Sequence, residues 1–272
     1  MIFRDSLRAA LLAAIGVMFI AGPASSNALK IGGTGAVTEL LVQLAPAFQV
    51  ETGIVLEVIP LLGSTGAINA TAAGKLGAVF SGRDLTATEK SRGLGVATTL
   101  LTPFGFVTSR TSSENLKRIE IVELYRADKP VWPDGTPVLI HLRPVAESDN
   151  IVLGQLFPGM TEALGHLRTT RRDLTIAATD QDNADLAEKN NGSLAGASLT
   201  QIVTEARRLR FVSIEGVTPS LENYRNGSYP YVKKLYLIVS SMISPEAAAF
   251  IAFLEKPAVR ELLKAAGVAV VK

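Results

Sequence analysis

Lys30-Ile31-Gly32-Gly33-Thr34-Gly35 opens a stretch, ending at Glu89, in which three short apolar runs each lead into a loop of small and hydroxyl residues. The second run, Val55-Leu56-Glu57-Val58-Ile59, passes through Pro60 into Gly63-Ser64-Thr65-Gly66. The third, Ala78-Val79-Phe80, ends in Ser81-Gly82-Arg83-Asp84. After the first loop, Val37, Leu40, Leu41, Leu44 and Phe48 recur at helical spacing, which places Thr34 and Gly35 at a helix N-terminus. The first N–H groups of a helix have no partner within it, and the macrodipole adds partial positive charge there. Three converging loops of this kind, one carrying Arg83, would surround a small oxyanion with N–H, O–H and guanidinium donors.

The rest of the composition narrows the class. A chain of 272 residues, 47% hydrophobic, can bury one large core or two smaller ones. The formal charge of +2 argues against a general binder of nucleic acid or membrane surfaces, and Arg171-Arg172 and Arg207-Arg208-Leu209-Arg210 read as solvated helix ends. With no cysteine there is no disulfide, thiolate metal site, cysteine nucleophile or lipoprotein anchor. The two histidines, His141 and His166, are too scattered to suggest a metal site, and no cofactor is expected.

The first residues read as an export leader. Arg4 and Arg8 precede an apolar run from Ala9 to Ala21, Gly22-Pro23 breaks it, and Ser26-Asn27-Ala28 offers small residues where a signal peptidase reads. Residues 1–28 are therefore expected to be removed after Ala28, leaving a monomeric periplasmic protein. An uncleaved anchor helix is the competing reading, but the run is short for a membrane span.

From Leu29 to about Val107 the pattern is strand, loop, helix, repeated, which implies a mainly parallel sheet. Its closing strand, Leu100 to Val107, is expected to be interrupted by Pro103 and Gly105. After a turn-rich passage around Trp132, expected to be a packed surface anchor, a second α/β series begins with the strand Pro137 to Arg143. Strands over Leu174–Ala178, Leu194–Ser198 and Phe211–Ile214, and helices over Asp180–Lys189 and Leu199–Arg208, continue it. A return strand, Leu235 to Ser240, and two helical segments between Pro245 and Lys264 end the chain. Two series imply two lobes: residues 29–107 with 233–272, and residues 108–232 between them.

In this order the motifs resemble those of the periplasmic phosphate-binding proteins of bacterial phosphate ABC import systems. The resemblance rests on the Gly-Thr-Gly and Gly-Ser-Thr-Gly loops, Gly82-Arg83-Asp84-Leu85 with Glu89, and Trp132-Pro133-Asp134-Gly135 followed by Leu142-Arg143-Pro144. In the second half it rests on Ala178-Thr179-Asp180-Gln181-Asp182, Gly192 to Ala197, Glu215-Gly216-Val217-Thr218-Pro219, and Asn226-Gly227-Ser228-Tyr229-Pro230 before Leu235-Tyr236. It covers nearly the whole mature chain. It implies an α/β, two-lobe type II periplasmic-binding-protein fold, each lobe a mixed, mainly parallel sheet flanked by helices. It also implies a small tetrahedral oxyanion, phosphate above all, held between the lobes and passed to a membrane-embedded permease. Carried over residue by residue, the ligand-binding set is Gly33, Thr34, Gly35, Ser64, Thr65, Arg83, Arg143, Ser148, Asp149 and Asn150. Where the family has Ser-Gly-Thr in the second-lobe loop this chain has Ser148-Asp149-Asn150, and its third loop carries Gly82-Arg83.

Each of these residues has a plainer reading. Thr34 and Ser64 would simply cap helices, Arg83 would pair with Asp84, and His141 would be a packed, hydrogen-bonded side chain. Two other functions fit the same texture: a sensory or interaction module of this fold without tight binding, and a phosphoesterase using His141 and Asp149. Other oxyanions, sulfate, molybdate or tungstate, fit the same loops. Within the phosphate reading, Asp149 or Asp84 would accept the proton that phosphate carries and sulfate lacks.

Overall fold

A computed structural model describes residues 27–112, 114–171 and 174–271. The expected leader lies outside the described residues apart from Asn27 and Ala28. Strand β1 (Ala28–Gly33) opens at the residue after which cleavage is expected, and Ala28 is already paired with Val55.

The first series runs β1, a 3-10 turn (Gly35–Val37), α1 (Thr38–Thr52), β2 (Val55–Ile59), α2 (Gly63–Ala72), β3 (Ala78–Ser81), α3 (Ala87–Ser91) and β4 (Leu94–Thr108). The second runs β5 (Asn115–Leu116), α4 (Arg118–Arg126), β6 (Leu139–Leu142), α5 (Ser148–Leu156), α6 (Met160–Thr170), β7 (Thr175–Ile176) and α7 (Asp180–Lys189). It continues with β8 (Ser193–Ser198), α8 (Leu199–Thr204), β9 (Arg210–Phe211), β10 (Ser213–Ile214) and α9 (Leu221–Arg225). The chain then returns through β11 (Val232–Ser240), α10 (Pro245–Glu255), α11 (Pro257–Ala265) and β12 (Ala269–Val270).

The main sheet has the order β2-β1-β3-β11-β4-β8-β6-β7. β1, β2 and β3 are parallel, as are β6, β7 and β8, while β4 and β11 are antiparallel to their neighbours. The mixed sheet thus has two parallel halves joined by a central antiparallel pair. β4 is the joint. Over Leu94–Pro103 it pairs with β11, and over Phe104–Val107 with β8. Pro103, expected to interrupt this strand, does not: its missing N–H falls where β4 exchanges one partner for the other, so the ladder loses little.

Two large cores flank the joint. Leu100, Leu235, Phe250, Phe253 and Leu263 pack with Phe48 on one side, and Phe104, Phe106, Phe157, Trp132 and Tyr229 on the other. The change of core falls between Leu100 and Phe104, earlier than the Val107/Thr108 boundary read from sequence. Edge-on rings at 5.3 Å join Phe48 to both Phe250 and Phe253. Burying one such ring stabilises by roughly 1.5–3 kcal/mol.

Three local expectations change. Trp132 is fully buried rather than a surface anchor, and its Nε1–H donates to Gly192 O at 3.0 Å. Helix α8 ends at Thr204 because Ala206 takes a positive φ of 50° and turns the chain back, Arg207 N–H donating to Ile202 O. The segment Phe211–Ile214 divides into β9, which pairs with β4, and β10, which pairs with β5, so no single strand spans it.

Phe157 stacks on Tyr231 at 5.0 Å and meets Phe106 edge-on at 5.2 Å. Phe157→Ala should therefore cost about 3–5 kcal/mol of stability. Urea unfolding followed by the single tryptophan, Trp132, which sits in the same core, would measure this. A loss under about 1 kcal/mol would mean the ring is not the keystone of that core.

Candidate functional site

The three loops of the first lobe meet the start of α5 and α7 from the second. Gly33 has φ 146°, and a Cβ there would lie 1.9 Å from Phe80 O, so only glycine lets β1 run this close to β3. Thr34 N–H is used in that approach, donating to Phe80 O at 2.9 Å. Its hydroxyl is free to point across the cleft and donates to Asp180 Oδ2 at 3.3 Å. The helix start expected to hold a free anion therefore holds a carboxylate of the chain itself.

The fit between the lobes is close. A Cβ on Gly35 would lie 2.6 Å from Asp180 Oδ2, and a Cβ on Gly82 would lie 2.5 Å from Ser148 Oγ and 2.8 Å from Lys233 Cε. Ser64 Oγ accepts from Gly82 N–H at 2.9 Å, which ties the second loop to the third.

Arg143, just past the end of β6, is 5% exposed, and its Nη2 lies 3.3 Å from both Asp180 Oδ1 and Glu147 Oε2. Asp149, in the first turn of α5, pairs with Lys233 of β11, which is 1% exposed and also lies over the Phe104 ring. Two cations and two carboxylates are thus buried together. Burial pushes the Asp149 carboxyl up, and the charge of Asp180 adds to this against the pull of Lys233 and Arg143. For Asp180 burial is outweighed by the charges of Lys233 and Arg143, so it is held below the usual carboxylate range. Burial also works against the Lys233 ammonium, but Asp149 and Asp180 prevail and raise it.

Of the residues selected from sequence, the fold gathers Gly33, Thr34, Gly35, Ser64, Arg143, Ser148 and Asp149 into this junction. It turns three away. Arg83 forks onto Glu89, at 2.9 and 2.7 Å, and also reaches Thr65 Oγ1 at 3.2 Å, so neither Arg83 nor Thr65 faces the cluster. Asn150 donates to Pro144 O at 2.7 Å and holds its own loop. Asp84 receives Leu85 N–H and is largely exposed, away from the buried charges. The plainer reading of Arg83 named the wrong partner: Glu89 holds it, not the Asp84 carboxylate.

Lys233 and Asp180 were not selected from sequence. A signal for Lys233 existed: Lys233-Lys234 lies in a strand, where neighbours face opposite sides, so one of the two has to point inward. Asp180 stands in the Ala178–Asp182 motif of the resemblance, but an acidic residue in the first turn of a helix behind a Thr cap is ordinary, and nothing local marks it for the junction.

An α/β protein of two lobes whose opposed loops meet at a buried, charged junction is the class this fold defines. A family model described as a PBP superfamily domain matches residues 21–256, and the chain belongs to that superfamily. No curated protein sequence matches it. Among solved structures it is similar to a putative phosphate ABC transporter substrate-binding protein with bound phosphate from Clostridium perfringens. That match has TM-score 0.77 at 18% identity and covers 90% of this chain and 100% of that one. An ABC-type phosphate transport receptor from Vibrio cholerae matches with TM-score 0.62, 16% identity and coverage of 90% and 100%. The periplasmic molybdate-binding protein of Azotobacter vinelandii gives 0.57, 14%, and again 90% and 100%.

The Arg83–Glu89 fork leaves a measurable trace. The hydrogen bonds from Arg83 hold Glu89 down to about 2. A carboxyl lowered on folding contributes stability that is complete above its unfolded value and is lost as pH falls toward the folded one. Stability should therefore drop between about pH 4.5 and 2, and Glu89→Gln should flatten that part of the profile. Denaturation midpoints across this range check it; an unchanged slope in the variant would mean other carboxylates dominate.

Proposed function

We propose that this is an exported, non-enzymatic solute-binding protein that holds one small tetrahedral oxyanion, phosphate, between its lobes and presents it to a membrane-embedded ABC permease. The observation that carries the reading is Arg143, whose Nη1 is buried without an acceptor from any described residue. A buried guanidinium N–H calls for an acceptor, and an oxyanion beside Thr34, Ser64 and Ser148 supplies one. Among the described residues no helix is long and apolar enough to cross a membrane.

Phosphate suits the cluster better than sulfate does. At neutral pH it still carries a proton to donate to a carboxylate, whereas sulfate meets the same carboxylate as a repelling charge. Asp149 is the candidate for this discrimination, and the exposed position of Asp84 weighs against it. The phosphoesterase reading has little support. His141 Nε2 is engaged with Ser193 at 3.0 Å, and the pocket that His141 and Asp149 share encloses only about 10 Å³.

One observation favours a second reading. Asp180 already takes the Thr34 hydroxyl and faces Arg143, as in a sensory or interaction module that keeps its lobes together by its own charges. Calorimetric titration with phosphate separates the two, since only the first gives a saturable heat. In that case Arg143→Ala should weaken binding by roughly 2–5 kcal/mol, with Arg143→Lys recovering part of it. Asp149→Asn should narrow the preference for phosphate over sulfate, with Asp84→Asn as the control. Equal affinity in Arg143→Ala would remove Arg143 from the site.

A further inference from the structure

Behind Arg143 the fold forms a pocket of about 10 Å³, lined among others by Tyr125, His141, Asp149, Leu153 and Asn183. That is room for about one water and nothing larger. Three lining side chains carry buried polar atoms that no described residue satisfies: His141 Nδ1, Asn183 Oδ1 and Arg143 Nε. These residues are only 8%, 4% and 5% exposed, so bulk solvent does not satisfy them either.

The role of each atom is decided by the other bond its side chain makes. Ser193 Oγ gives its single proton to Asn190 O at 2.7 Å, so at 3.0 Å it can only accept from His141 Nε2. The proton of a neutral His141 is then on Nε2, and Nδ1 is a bare acceptor. Burial pushes His141 down, which favours that neutral form. Asn183 Nδ2 donates to Gly196 O at 2.9 Å, which orients the amide and leaves Oδ1 as an acceptor. Arg143 Nε–H can only donate. The pocket therefore presents two acceptors and one donor, the complement of a molecule with two protons and a lone pair.

We infer that this pocket binds one water molecule, which donates to His141 Nδ1 and Asn183 Oδ1 and accepts from Arg143 Nε–H, making His141 and Asn183 positioning residues for the guanidinium. His141 and Arg143 are two apart along the chain and so share a face, which places imidazole and guanidinium on the same pocket. With Nε held from behind and Nη2 held by Asp180 and Glu147, the plane of the guanidinium is fixed and Nη1 is left for the anion. The water site stands on this geometry alone; its effect on affinity rests on the oxyanion reading.

The test uses the full mature chain labelled with nitrogen-15, studied by NMR without anion and with inorganic phosphate. A water cross-relaxation signal is expected at Arg143 Nε–H in both samples, with His141 as the neutral Nε2–H tautomer at neutral pH. His141→Phe and Asn183→Leu should each lose the water signal and bind phosphate about fivefold to tenfold more weakly. His141→Asn, whose Oδ1 is attached to Cγ as Nδ1 is and so can take its place, should restore both. Absence of the water signal in wild type, or the Nδ1–H tautomer, would overturn the inference even if a variant fails to fold. Loss of the water with unchanged phosphate affinity would overturn the positioning role. A wild-type protein that shows the water but binds no phosphate would uphold the water site and overturn only the oxyanion reading.

Discussion

Four charged side chains buried where the lobes meet, Arg143, Asp149, Asp180 and Lys233, set the constraint on which the rest of this structure depends. Taking an ion out of water costs several kcal/mol even after relaxation, and mutual attraction offsets this only when the geometry is good. The cluster meets that condition because each charge has an opposite partner, Arg143 against Asp180 and Lys233 against Asp149. Removing any one member would leave an uncompensated charge inside the protein. Such a cluster does more to define one relative placement of the lobes than to add net stability.

The sheet makes this placement possible. β4 spans both lobes, and β11 runs beside its first half, so the strand that returns the chain to the first lobe begins at the cleft. Lys233 is the second residue of β11 and faces inward, while Lys234 faces solvent. The same alternation that buries Leu235 and Leu237 thus delivers an ammonium to the junction. Missing side chains matter equally: at Gly35 and Gly82 a methyl group would collide with Asp180 or Ser148, and the charges could not approach.

Much of the fold was legible because its signals are local. Helical spacing after Thr34, the loops at the strand ends and Pro at the start of α10 and α11 depend on a few neighbouring residues, and these elements stand where the pattern puts them. Of the site, the glycines, hydroxyls and Arg143 were legible for the same reason. Arg83 was misread because a loop arginine is equally suited to an anion and to a carboxylate on the next helix, and Glu89, capping α3 with Thr86, was the nearer one. The start of β4 was placed late, at Leu100 rather than Leu94, because its first residues are largely exposed and carry no continuous apolar run.

By itself the sequence determined the α/β class, the two series that make two lobes, the loops at the helix starts and the presence of an arginine at the end of β6. These follow from periodicity, capping and turn chemistry, which act over a few residues. Only the tertiary structure decided which charges meet. Asp149 and Lys233, or Thr34 and Asp180, are far apart in the chain, and nothing in the residues near either partner specifies the other. Their pairing follows from strand order, because β11 and α7 must pack against β4 and β8 before those side chains share one buried space.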